Sequence, residues 1–174
     1  MTTTSRDSRA IIHILAPSCH EAGGMSLAGT AYDEYYFHKV IAHELGTLFL
    51  IGVNESKAGG WSLADAPSWF SEGYQEYLGL NFSSEYSKTI SQAYYLAQSR
   101  NNSERIRFGI VVENPYLDGA NIVRFLHENY GYAKVHSIVS SEQQDFWDAM
   151  REVTGLGPVG LVDEYKAWLM DSRR

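Results

Sequence analysis

Cysteine is nearly missing from this chain: Cys19 is the single one in 174 residues, so no intrachain disulfide can form and the fold rests on packing. Cys19 itself reads as a small packing residue, not a nucleophile. Basic charge is also in short supply. Lys and Arg number 14 against 21 Asp and Glu, a net charge of −7, which argues against nonspecific partners such as nucleic acid or anionic lipid. No apolar run approaches the roughly 20 residues of a membrane span. The polar start, residues 1–9 with Thr2, Thr3, Thr4 and Ser5, lacks the apolar stretch of a secretory signal and is expected to be disordered. The chain is therefore read as a soluble, cytoplasmic protein without membrane or nucleic-acid partners. What it has in quantity is aromatic side chains, 13% of the residues and 12 of them Tyr, which implies a core and clefts lined by rings whose hydroxyls need partners.

The length fits one domain, residues 10–174. Ala10 to Ala16, β-branched in its middle and closed by Pro17, predicts a buried strand. The glycine-rich stretch 21–30 predicts a loop. A helix is expected over 35–51, with Asp33 and Glu34 at its positive end and Gly52 as its cap. Pro67 suits the first turn of a second helix, ending near Gly79. Further helices are expected over 83–98, 118–130, 132–139, 142–154 and 158–170, with a turn over 100–104; residues 105–112 fit either strand or a helical extension. The fold class is thus α+β, predominantly helical, with a small N-terminal β element.

Inside the first expected helix lies Val40-Ile41-Ala42-His43-Glu44-Leu45-Gly46-Thr47. Residues four apart share a helix face, so His43 and Thr47 point the same way. In the helical pattern H-E-x-x-H, that spacing lets two imidazoles hold one zinc ion while the glutamate acts as base on a zinc-bound water. Here the pattern reads H-E-x-x-T. A second run, Pro67-Ser68-Trp69-Phe70-Ser71-Glu72-Gly73-Tyr74-Gln75-Glu76-Tyr77, sets Glu72 and Glu76 one turn apart on an otherwise aromatic helix, where inward carboxylates need a cation or donors.

Together these runs resemble the zinc-binding and glutamate helices of gluzincins, the metallopeptidases of thermolysin and aminopeptidase type. The resemblance implies that His43 and Glu72 are metal ligands, that Glu44 is the catalytic base, and that Glu76 accepts a hydrogen bond from His43 and fixes its tautomer. Tyr116-Leu117-Asp118-Gly119-Ala120 is similar to the segment that supplies an oxyanion-stabilising tyrosine in that family, which makes Tyr116 the candidate. The likeness covers roughly residues 10 to 170.

Thr47 stands where the second histidine belongs. A catalytic zinc rests on three protein ligands, and a neutral hydroxyl is a poor third, so zinc is expected to be weakly held or absent. Lys39, one turn before His43, would repel a cation. His38 is offset by about 140° around the helix. His20 and Cys19 lie in a glycine-flanked stretch, and His127 and His136 have no ligand spacing. Three functions follow: an impaired peptidase homologue that binds a peptide or other extended ligand, or a small molecule, in its cleft; a working zinc hydrolase, if another ligand completes the site or Thr47 replaces a native histidine; or a non-hydrolytic enzyme using His43 and Glu44 as acid and base.

Overall fold

The computed structural model describes residues 2–6, 9–13, 34–81 and 85–171. The described chain is predominantly helical. It begins with a two-stranded antiparallel hairpin, β1 (Thr2–Arg6) and β2 (Arg9–His13), in which Thr2 faces His13 and Arg6 faces Arg9. β1 falls within residues 1–9, so the expectation of disorder there is corrected for Thr2–Arg6. Ile14 to Ala16 of the expected strand, and the loop 21–30, lie outside the described residues.

Seven α-helices follow: α1 (Glu34–Ser56), α2 (Ser68–Asn81), α3 (Glu85–Asn102), α4 (Leu117–Tyr130), α5 (Tyr132–Val139), α6 (Phe146–Thr154) and α7 (Pro158–Met170). None of the described helices is long and apolar enough to cross a membrane. Their ends follow local chemistry. Pro67 precedes α2 and its carbonyl accepts from Phe70 N at 2.8 Å. The Asp145 carboxylate caps α6 through Trp147 N and Asp148 N. Gly131 and Gly155, at φ 87° and 78°, close α4 and α6 in backbone conformations that cost glycine little.

Several expected boundaries are corrected. Gly52 does not end α1, which runs on to Ser56. The reason is tertiary: Asn54 is buried, donates to the Trp61 and Val139 carbonyls at 3.3 Å and accepts from Leu63 N at 2.8 Å. Those bonds outweigh the roughly 1 kcal/mol that a helical glycine costs. Gly79 likewise lies inside α2. α3 continues to Asn102, through the start of the expected turn, and a single 3-10 turn, Ser103–Arg105, follows. Residues 106–116 are irregular, neither strand nor helix. α6 starts at Phe146 and not at 142, because Asp145 supplies the cap.

α2 lies between α1 and α4. Its Trp69, Phe70 and Tyr74 are buried and join Trp61 and Phe146 in an aromatic core, with Phe70 and Phe146 ring centres 4.9 Å apart and Trp61 edge-on to Phe146 at 5.3 Å. Against α4 the two backbones touch: a Cβ on Gly73 would stand 2.2 Å from the Gly119 carbonyl carbon, and one on Gly119 would stand 2.3 Å from Trp69 O. Against α1 the approach is nearly as close, since a Cβ on Gly79 would meet Lys39 O at 2.8 Å. The opposite face of α2, carrying Gln75 and Glu76, is therefore buried too.

One half-buried histidine gives the fold an acid sensitivity. His127 on α4 sits among the rings of Tyr74, Tyr77 and Tyr132, at 6.1, 4.8 and 4.9 Å, and its Nε2 is buried without a partner among the described residues. Burial pushes its pKa down from 6.5 to about 4, so the folded protein favours the neutral ring. The stability this provides is complete above about pH 6.5 and is lost as pH falls from there towards about 4. His127→Phe is expected to flatten the decline of melting temperature across that window; an unchanged decline would show that His127 does not cause it.

Candidate functional site

The site starts from helix spacing. Lys39, His43 and Thr47 succeed one another at four-residue intervals on α1, and Glu72 and Glu76 are one turn apart on α2. The close α1–α2 approach brings the two rows together. His43 Nδ1 lies 3.2 Å from Glu76 Oε2. With a carboxylate acceptor there, the proton belongs on Nδ1 and the lone pair on Nε2. That Nε2 faces Glu72, whose Oε2 is 3.8 Å away.

Glu76 is the organising group. It is one-twentieth exposed, and a carboxylate so placed must be compensated. Besides His43, it takes the Lys39 ammonium and the Tyr95 hydroxyl on Oε1, and Lys39 Nζ also donates to the Tyr95 oxygen at 3.2 Å. Burial pushes its pKa up, but the hydrogen bond with His43, the charge and hydrogen bond of Lys39 and the bond from Tyr95 prevail and hold it down at about 2.

Tyr116 enters from the start of α4. Asn114 Oδ1 accepts from both Tyr116 N and Leu117 N at 3.1 Å. Buried Asp118, accepting from Ser99 Oγ at 2.6 Å and Asn114 N at 3.1 Å, ties this turn to α3. The Gly73–Gly119 crossing then sets Tyr116 beside α2, its ring 6.0 Å from that of His43. The negative charge of Glu72, then burial, the charge of Glu76, a hydrogen bond with Glu72 and the charge of Glu44 all raise its pKa, so the hydroxyl stays protonated and able to donate.

A cleft of about 390 Å³ opens at this junction, lined by Lys39, Val40, His43, Glu44, Glu76, Tyr95 and Tyr116. Of the residues singled out in the sequence, His43, Glu44, Glu72, Glu76 and Tyr116 come together here. Thr47 is engaged elsewhere: its Oγ1 donates to buried Gln75 Oε1 at 2.6 Å, with the His43 carbonyl at 3.4 Å. His136 stacks on Phe49 at 5.3 Å, and neither it nor His127 lines the cleft. Cys19 and His20, and the side chain of His38, lie outside the described residues.

Two groups were not legible beforehand. Tyr95 is one of 12 tyrosines and nothing in its spacing marks it. Gln75 carried a signal, a polar side chain within the aromatic glutamate helix, but its partner Thr47 emerges only from the helix crossing.

The donors can be compared with a metal directly. A tetrahedral zinc with nitrogen and oxygen ligands near 2.0–2.2 Å sets two donors about 3.4 Å apart, within a few tenths of the 3.8 Å between His43 Nε2 and Glu72 Oε2. The third corner does not fit, because its hydroxyl is bound to Gln75 and a fixed ammonium lies behind Glu76. Among the described residues no set of three His, Cys, Asp or Glu converges as ligands. In comparisons with known proteins, no family model, no curated protein and no solved structure matches the chain.

Proposed function

We propose that this chain is a gluzincin-like peptidase domain whose cleft now serves as a binding site for a peptide or other extended ligand, with zinc held weakly or not at all. The observation that carries this reading is the hydrogen bond of Thr47 to Gln75: the position of the second histidine is filled by a side chain that is satisfied within the protein. Supporting it, His43 is oriented by Glu76 and faces Glu72, with Tyr116 alongside, the arrangement that the sequence resemblance implies around an absent second histidine. Glu44 then has no acidified water to deprotonate, and efficient amide hydrolysis is not expected. What remains is recognition chemistry. His43 Nε2 accepts, the Tyr116 hydroxyl donates, Glu44 and Glu72 accept from ligand N–H groups, and Val40 and Tyr95 supply wall.

A hydrolase has one observation in its favour, the Tyr116 ring 6.0 Å from that of His43, where its hydroxyl could donate to an oxyanion. Zinc content of the purified protein and cleavage of a mixed peptide library separate the two. The binding reading expects far less than one zinc per chain and no cleavage, with peptides retained by the unaltered protein and released by Tyr116→Phe combined with His43→Ala. Stoichiometric zinc together with cleavage by the unaltered protein would overturn it.

A further inference from the structure

The cleft already contains a positive charge, and its placement bears on which ligands the site can take. Lys39 is only about one-sixth exposed and Glu76 still less, so the pair is poorly screened by solvent. The ammonium is fixed from two sides, by Glu76 Oε1 and by the Tyr95 oxygen. Tyr95 also bonds the same carboxylate oxygen, so Lys39 and Tyr95 together occupy the half of Glu76 that His43 leaves over. In a metal site, the carboxylate behind a ligating histidine has its charge balanced largely through that histidine and its metal. Here the balance is supplied directly, with no metal required. A dication held between His43 and Glu72 would sit one imidazole and one carboxylate away from this ammonium, in surroundings where like charges repel strongly.

We propose that Lys39 is the resident cation of the cleft: it takes over the neutralisation of Glu76, and together with Thr47 it selects against divalent metal ions. This inference rests on reading Thr47 as a vacated ligand position, and it adds that refilling this position is not sufficient for tight metal binding while Lys39 remains. Tyr95 is the positioning residue that keeps the ammonium in place.

The test uses the full chain and zinc chloride alone, read by titration calorimetry and by the zinc-induced shift in melting temperature. Four proteins are compared: the unaltered chain, Thr47→His, Thr47→His with Lys39→Gln, and Thr47→His with Lys39→Arg. Glutamine keeps an N–H for Glu76 but removes the charge, whereas arginine keeps the charge. The expected result is zinc binding by Thr47→His, binding tighter by on the order of 10- to 100-fold when Lys39→Gln is added, and no such gain with Lys39→Arg. Should the glutamine variant fail to fold, Lys39→Met in the same background gives the same comparison. Equal zinc affinity with and without Lys39→Gln overturns the role of Lys39 while leaving the reading of Thr47 intact. No zinc binding in any of the histidine variants overturns the reading of Thr47 itself, and this inference with it. A chelator is expected to leave the melting temperature of the unaltered protein unchanged; a fall would mean that a metal and not Lys39 is the resident cation.

Discussion

Gly73→Ala is expected to lower the melting temperature by about 6–12 °C. The added Cβ would stand 2.2–2.6 Å from three backbone atoms of Gly119, and the first-turn backbone of α4 cannot rotate aside as a side-chain tip can. The crossing of α2 and α4 must open, which loosens Trp69 and Phe70 against Phe146 in the core. Overpacking of this kind costs about 3 kcal/mol net, after the gain of up to about 1 kcal/mol from alanine's higher helix propensity. For a chain of this size each kcal/mol moves the midpoint by about 2–4 °C. Gly119→Ala should do the same, since its Cβ would meet Trp69 O at 2.3 Å. The double variant should cost less than the sum, because a crossing that has been opened once accommodates the second methyl. Gly52→Ala is the internal control. It is an exposed helical position where an added Cβ meets nothing within 4 Å, so it should stabilise by about 0.5–1 kcal/mol. Thermal melts of the four variants decide the matter, and Gly73→Ala melting with the unaltered protein would show that the helices do not touch there.

The same glycines show how far the sequence could be read. Gly73 and Gly119 both stood within recognisable runs, but their meeting is a contact between segments 46 positions apart and has no local signature. Gly52 and Gly79 looked like helix ends because glycine usually is one. They lie inside helices because Asn54 is tied to Trp61, Leu63 and Val139, and because α1 needs the missing side chain at Gly79 to come close. Pro67 acts through its own backbone and was read directly, and the helix ends expected at 130 and 154 are the ones that Gly131 and Gly155 close through theirs. At the site, His43, Glu72 and Glu76 were legible because one-turn spacing fixes a shared face. The pairing of Thr47 with Gln75 and of Lys39 with Tyr95 depends on how α1, α2 and α3 lie against each other, which no periodicity encodes.

Glu76→Gln is expected to cost about 3–5 kcal/mol at neutral pH and to remove a distinct part of the protein's acid sensitivity. Two arguments give similar sizes. Removing one member of a buried ion pair leaves Lys39 uncompensated, which typically costs about 3–5 kcal/mol. Linkage gives an independent figure: with a folded pKa of about 2 against a reference of 4.5, the ionised carboxylate favours the folded state by about 3 kcal/mol. The sign follows from the direction of the shift. A depressed carboxylate pKa means that the unfolded chain takes up the proton first, so the contribution is complete above about pH 4.5 and is lost as pH falls from there towards 2. This window lies below that of His127, which is spent between about pH 6.5 and 4, so the two can be told apart on one series of urea-unfolding curves. The Glu76→Gln curve should start lower at about pH 7 and run nearly level below about pH 4.5, while His127→Phe should alter only the upper part. If Glu76→Gln kept the full acid slope at low pH, the carboxylate would not be carrying the charge that His43, Lys39 and Tyr95 converge on, and the organisation of the whole cleft would have to be sought in another residue.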